Sequence, residues 1–144
     1  MKHLQHLVLS LTVLLLVACS GAQVDDPAAA AVNPAAVEGG TTLFQGTFDG
    51  RNDHVVTGGV DVVEVDGGLV LRLADDFSLD GAPDPKIGFG KGGTYDTSTT
   101  FTPLRSNTGS QSYALPAGLD VSAYDEAYIW CEQFSVALGV AALR

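Results

Sequence analysis

From Val60 to Leu73 apolar and polar positions alternate along the chain, the period-two pattern of strands with one buried face. Val60-Asp61-Val62-Val63-Glu64-Val65 runs into Asp66-Gly67-Gly68, and Leu69-Val70-Leu71-Arg72-Leu73 follows at once. An Asp-Gly pair between two such runs predicts a tight hairpin. Leu69, Leu71 and Leu73 then share the core face of its second strand, with Val70 and Arg72 opposite. Shorter runs rich in β-branched and aromatic residues predict further strands at His54–Thr57, Phe101–Arg105 and around Tyr113-Ala114-Leu115. The last apolar run, Ala127 to Leu143, is long for one strand. Glu132-Gln133 in its middle predicts two strands, or one with a bulge. Residues 75–86 read as a loop around Gly81 and two prolines, and residues 90–100 as a polar, mobile segment. There is no internal repeat and no alternation of strand with helix. The expectation is an all-β domain, an antiparallel β-sandwich or small barrel of seven to nine short strands.

Upstream the texture changes. Residues 1–18 carry a basic start and an apolar run from Leu7 to Ala18, shorter than the roughly 20 residues of a spanning helix and suited to a signal peptide. Leu16-Val17-Ala18-Cys19 resembles the bacterial lipobox, which implies a diacylglyceryl group on the Cys19 sulfur and cleavage before it. Ser20 rather than Asp after that cysteine favours sorting to the outer membrane. Residues 19–43 otherwise hold small residues, two prolines and a Gly-Gly pair, with no recurring apolar face. They read as a disordered tether spanning about 25–30 Å, and residues 44–144 as the folded domain. The chain is therefore expected in the bacterial cell envelope, held to the membrane through lipid on Cys19.

Composition narrows the partners. The 144 residues are 46% hydrophobic and 17% charged, as in globular proteins. Seventeen acidic against seven basic residues give a formal net charge of −10. Such a surface repels phosphate backbones, so no nucleic-acid partner is expected.

Outside Cys19 one cysteine remains, Cys131. In an oxidising compartment a thiol is normally paired, so an unpaired one is an inert core residue, a reactive thiol or a ligand for metal or haem. It shares a strand face with Ile129, as a small hydrophobe would. No lysine or arginine stands near it in sequence to activate it. His54 is the only histidine after Cys19 and, beside Cys131, could complete a His/Cys pair for haem iron or copper. One thiol and one imidazole cannot close a structural zinc site, and the motifs of covalent haem attachment and thioredoxin-like exchange are missing. Asp75, Asp76, Asp80 and Asp84 crowd one loop without the spacing of an EF-hand. The serines have no nominated base, and the glycines at 88, 90, 92 and 93 lack the strand-to-helix context of a phosphate loop.

Several signatures then line up. Gly46-Thr47-Phe48-Asp49-Gly50, Thr57-Gly58, the loop Asp80-Gly81-Ala82-Pro83-Asp84, Gly109-Ser110-Gln111-Ser112-Tyr113 and the run through Ile129-Trp130-Cys131, Phe134 and Gly139 occur in that order. Over residues 44–143 the chain resembles the DM-thirteen domain, found alone in bacterial lipoproteins and beside DOMON domains in Skeletor-type proteins. The family's loop commonly reads Gly-Pro-Asp, where this chain inserts Ala82. The resemblance implies a β-sandwich-like fold and electron transfer with Cys131 as the redox-active group, Trp130 packing beside it and an envelope redox protein as partner. It implies an electron-transfer or binding module rather than a turnover enzyme. The alternative is a non-catalytic envelope binding or structural module in which Cys131 fills the core.

Overall fold

The computed structural model describes Val32 and residues 37–144. The expected signal peptide, the expected lipidation site Cys19 and the expected tether up to residue 36 lie outside the described residues, apart from Val32. Eleven strands make up the domain: β1 (Thr41–Gly50), β2 (Val56–Thr57), β3 (Gly59–Val65), β4 (Gly68–Leu73), β5 (Ser78–Leu79), β6 (Pro85–Lys91), β7 (Thr94–Tyr95), β8 (Thr102–Pro103), β9 (Gln111–Ala114), β10 (Glu126–Cys131) and β11 (Val136–Ala142). Eight of them follow one another antiparallel in the order β7-β6-β10-β11-β1-β3-β4-β9, with β8 also pairing β6. This sheet curls into a half-barrel, and β2 and β5 form a separate two-stranded ribbon. The all-β, sandwich-or-barrel expectation is met.

β1 joins the two halves of the curl. Its first seven residues pair with β3, with a register shift between Thr42 and Phe44, and Phe48 to Gly50 pair with β11. Inside the curl lie Phe48, Val60, Val62, Leu71, Leu73, Phe77, Ile87, Phe89, Tyr113, Ile129, Leu138 and Ala141, all buried. Burying a side chain of this size contributes roughly 1.5–3 kcal/mol, so this face holds the sheet in its curl. On the outer face Val63 and Val70 pack with Val37 in a small second cluster.

The predicted hairpin is present: β3 and β4 pair from Val60–Leu73 to Val65–Gly68 around Asp66-Gly67. Leu71 and Leu73 face the core, while Arg72 turns out and pairs with Asp61 across the strands. The last apolar run splits as expected into β10 and β11, joined by a turn at residues 132–135. Two readings are corrected. The loop expected over residues 75–86 ends in strand, because Pro85 and Lys86 begin β6, a full strand at the middle of one half of the sheet. Residues 90–100, expected as mobile, form the β6–β7 hairpin and a one-turn 3-10 segment capped by the Asp96 side chain, which accepts from the Ser98 N–H. The hairpin turns on Gly92 and Gly93, whose φ of 58° and 84° suit the two left-handed positions of a type I′ turn. The Asp125 carboxylate accepts from the Gly92 N–H at 2.9 Å and the Glu126 carboxylate from the Gly93 N–H at 2.8 Å. These bonds fasten the turn to the start of β10.

Candidate functional site

Strand alternation decides where the cysteine goes. In β10 Ala127, Ile129 and Cys131 point into the curl, and Cys131 is 1% exposed. It is a free thiol. Its Sγ–H donates to the backbone carbonyl of Pro83 at 3.1 Å, and the Glu132 N–H donates to the Asp84 carbonyl at 3.2 Å. The end of β10 thus holds the loop that leads into β6.

His54 grips the same loop from its other end. Its Nδ1–H donates to Asp80 Oδ1 at 2.9 Å, and the Val55 N–H donates to Asp80 Oδ2 at 3.0 Å. The His54 hydrogen bond first, and the Val55 bond second, hold the Asp80 carboxyl below its ordinary value. His54 and Cys131 are therefore linked through Asp80-Gly81-Ala82-Pro83 and do not share a partner. Among the described residues no group of three or more His, Cys, Asp or Glu side chains is arranged to hold a metal ion. The thiol is sealed in the core on Pro83, whereas the imidazole is held partly exposed by Asp80 through Nδ1 and keeps its Nε2 free.

Trp130 lies elsewhere from the expected place. It follows Ile129 by one residue, so the pleat turns its ring to the outer face, away from Cys131. There it stacks on Tyr95, with ring centroids 4.2 Å apart and planes 14° apart. Tyr95 in turn lies against Tyr128, at 5.2 Å and 56°. Three rings from two strands thus touch in series, the first pair stacked and the second tilted. The floor beneath them is glycine. Gly88 and Gly90 of β6 sit opposite Tyr128 and Glu126 of β10. A Cβ on Gly88 would come within 2.5 Å of the Tyr95 hydroxyl, and one on Gly90 within 2.5 Å of the Tyr128 ring. Ile87 and Phe89, on the other face of the same strand, are fully buried in the core.

The hydroxyls of the stack are held differently. Tyr95 shares a hydrogen bond of 2.6 Å with the Thr100 hydroxyl. Tyr128 donates to the Glu126 carboxylate at 3.0 Å. Burial first, then that hydrogen bond and the carboxylate charge, push the Tyr128 phenol up to about 12. Burial likewise pushes Tyr95 up. The sequence does not nominate Tyr95, Tyr128 or Glu126 as candidates. The signal available was the Ile-Gly-Phe-Gly alternation of residues 87–90, which marks a strand with one apolar and one bare face.

The Gln111–Tyr113 motif is structural. The Tyr113 hydroxyl accepts from the Arg105 N–H at 3.0 Å and donates to Gln111 Oε1 at 2.6 Å. Gln111 Oε1 also accepts from the Ser106 N–H, and the Arg105 guanidinium lies 4.1 Å over the Tyr113 ring. Together they fix the loop between β8 and β9.

Searches of curated proteins and of solved structures find no match. The family model described as Electron transfer DM13 matches residues 47–143, which takes in β10, the His54–Asp80 pair and the aromatic stack. The chain belongs to the DM13 electron-transfer family.

Proposed function

We propose that this chain is a lipid-tethered electron-transfer module of the bacterial cell envelope, redox-active through the unpaired Cys131. The observation that carries the reading is the family match over residues 47–143, within which Cys131 is the sole cysteine. Leu16-Val17-Ala18-Cys19 supports attachment through a diacylglyceryl group, and Ser20 supports the outer membrane. The partner in this reading is an envelope redox protein. Burial of Sγ bears on how it works. Thiol–disulfide exchange needs an attacking sulfur to reach the target sulfur, so the sealed site favours electron exchange over disulfide exchange.

A second reading is favoured by one observation, the thiol 1% exposed and bonded to Pro83. In it Cys131 fills the core of a non-catalytic binding or structural module. Redox titration of the full-length chain, with the thiol trapped after rapid denaturation, separates the two. A reversible midpoint that vanishes in Cys131→Ser supports the first. A thiol that stays reduced at every potential and reacts only after unfolding overturns it in favour of the second.

A further inference from the structure

The stack on the outer face has features that packing alone does not require. Three oxidisable rings touch in series on the outer face, Trp130 and Tyr95 partly exposed and Tyr128 buried, over a strand whose facing positions are glycine. Rings in van der Waals contact exchange an electron readily, because their π orbitals overlap. A phenol that loses an electron becomes a strong acid, so its oxidation is easy only where a base can take the proton. Tyr128 has such a base in Glu126, at 3.0 Å and within the reach of proton transfer. Glu126 is itself fixed by the Gly93 N–H. Tyr95 has only a hydroxyl partner. The three rings therefore differ in a useful order, with Trp130 and Tyr95 as the contact path and Tyr128 as the place where the electron hole settles.

We propose that Trp130, Tyr95 and Tyr128 form a one-electron relay at the surface of the domain, with Glu126 as its proton acceptor. The inference rests on the electron-transfer reading and extends it to a second site, on the opposite face of β10 from Cys131. In the forward direction an outer-sphere one-electron oxidant, a metal complex or the metal centre of a partner protein, takes one electron through the Trp130 end. The O–H bond of Tyr128 breaks, its proton passes to Glu126 Oε2, and a neutral tyrosyl radical remains. The oxidant leaves reduced by one electron. A one-electron reductant reverses each step and returns the proton from Glu126 to the phenol oxygen. Because Tyr128 is protonated at neutral pH, electron and proton must leave together, and this couples the relay to its carboxylate.

The chemistry also selects the partner. Asp125, Glu126, Glu132 and Asp96 border the rings, while the two nearby cations are themselves paired, Lys86 opposite Trp130 with Asp84 and Arg51 beside Tyr128 with Asp49. A cationic docking surface fits this rim.

Flash photolysis of the full-length chain with photogenerated tris(bipyridyl)ruthenium(III) tests the relay. Trp130 is the only tryptophan, so a tryptophanyl radical reports on one position. The expected result is a tryptophanyl radical that decays as a tyrosyl radical grows at the same rate. Tyr128→Phe should make the tryptophanyl radical outlive the wild-type signal at least tenfold. Glu126→Gln keeps the shape and the acceptor oxygen while removing the base, and should slow the transfer by about tenfold or more. Tyr124→Phe is the control. Its hydroxyl also meets a carboxylate, Asp96 at 3.1 Å, but its ring packs on Phe89 outside the stack. It should leave the kinetics unchanged. The same traces in Cys131→Ser keep this site separate from the thiol: transfer that persists there stands whatever the thiol titration returns. Tryptophanyl decay that is the same in wild type, Tyr128→Phe and Glu126→Gln overturns the relay. Decay that slows only in Tyr124→Phe overturns it as well.

Discussion

Asp80 anchors one end of the loop that the two sequence-nominated side chains hold from opposite sides. It takes hydrogen bonds from His54 and Val55, and the loop it anchors presents Pro83 to the Cys131 thiol. Its carboxyl is held below 3.8, so the folded state favours the ionised form. The stabilisation is complete above the unfolded value and is lost as pH falls through the lower folded one. Melting temperature followed through the acid range should therefore drop more steeply in wild type than in Asp80→Asn below pH 3.8. The gap between the two is widest near neutrality and closes in acid. Parallel curves throughout would show that the carboxylate does not carry this loop. At this scale the sequence was informative where alternation alone decides. Ile129 and Cys131 share a face because they are two residues apart, and Cys131 is indeed buried beside it. The same rule turns Trp130 to the other face, against the expectation that it packs beside Cys131. The partnership of His54 with Asp80 spans 26 residues, and no local pattern encodes it.

Strand β6 shows what an element can hide. Its sequence, Pro-Lys-Ile-Gly-Phe-Gly-Lys, straddles the end of the expected loop and the start of the expected mobile segment, because proline and glycine are poor strand formers. The glycines are there because the aromatic stack lies on them. Gly90→Ala would place a Cβ 2.4 Å from the Thr94 carbonyl oxygen and 2.5 Å from the Tyr128 ring. Neither backbone nor ring can step aside cheaply, so a loss of about 1–3 kcal/mol is expected. Gly88→Ala meets the Tyr95 phenol instead and should lift that ring off Trp130. Urea unfolding measures the first effect, and the emission of the single tryptophan measures the second. A Gly90→Ala variant as stable as wild type, or unaltered emission in Gly88→Ala, would mean that the glycines are incidental to the stack. The β3–β4 hairpin is the contrary case. There Asp66-Gly67 sits between two alternating runs, and local chemistry agrees with the tertiary structure. Tertiary demand on β6 overrides propensity, and this is why local pattern did not mark the strand beneath the stack.

The whole molecule adds a field to the local geometry. Its net charge of −10 is far from neutral, and acidic residues border the surface stack. At low ionic strength this field extends well beyond the contact distance, whereas at physiological salt it is screened within about 8 Å. A cation approaching Trp130 is concentrated near the surface, and an anion of equal driving force is held off. Such steering changes encounter rates by about tenfold or more. Oxidation of Trp130 by a cationic metal complex should therefore slow by about that factor from low to physiological salt. An anionic complex of similar potential should speed up, and an uncharged one should show little dependence. The sign of the salt slope separates a field effect from a change in the protein, because a structural change would move all three rates together. Three equal slopes would dismiss the charge of the domain as a selector of its partner. Opposite slopes would tie a bulk property, legible in composition alone, to a site that only the folded chain assembles.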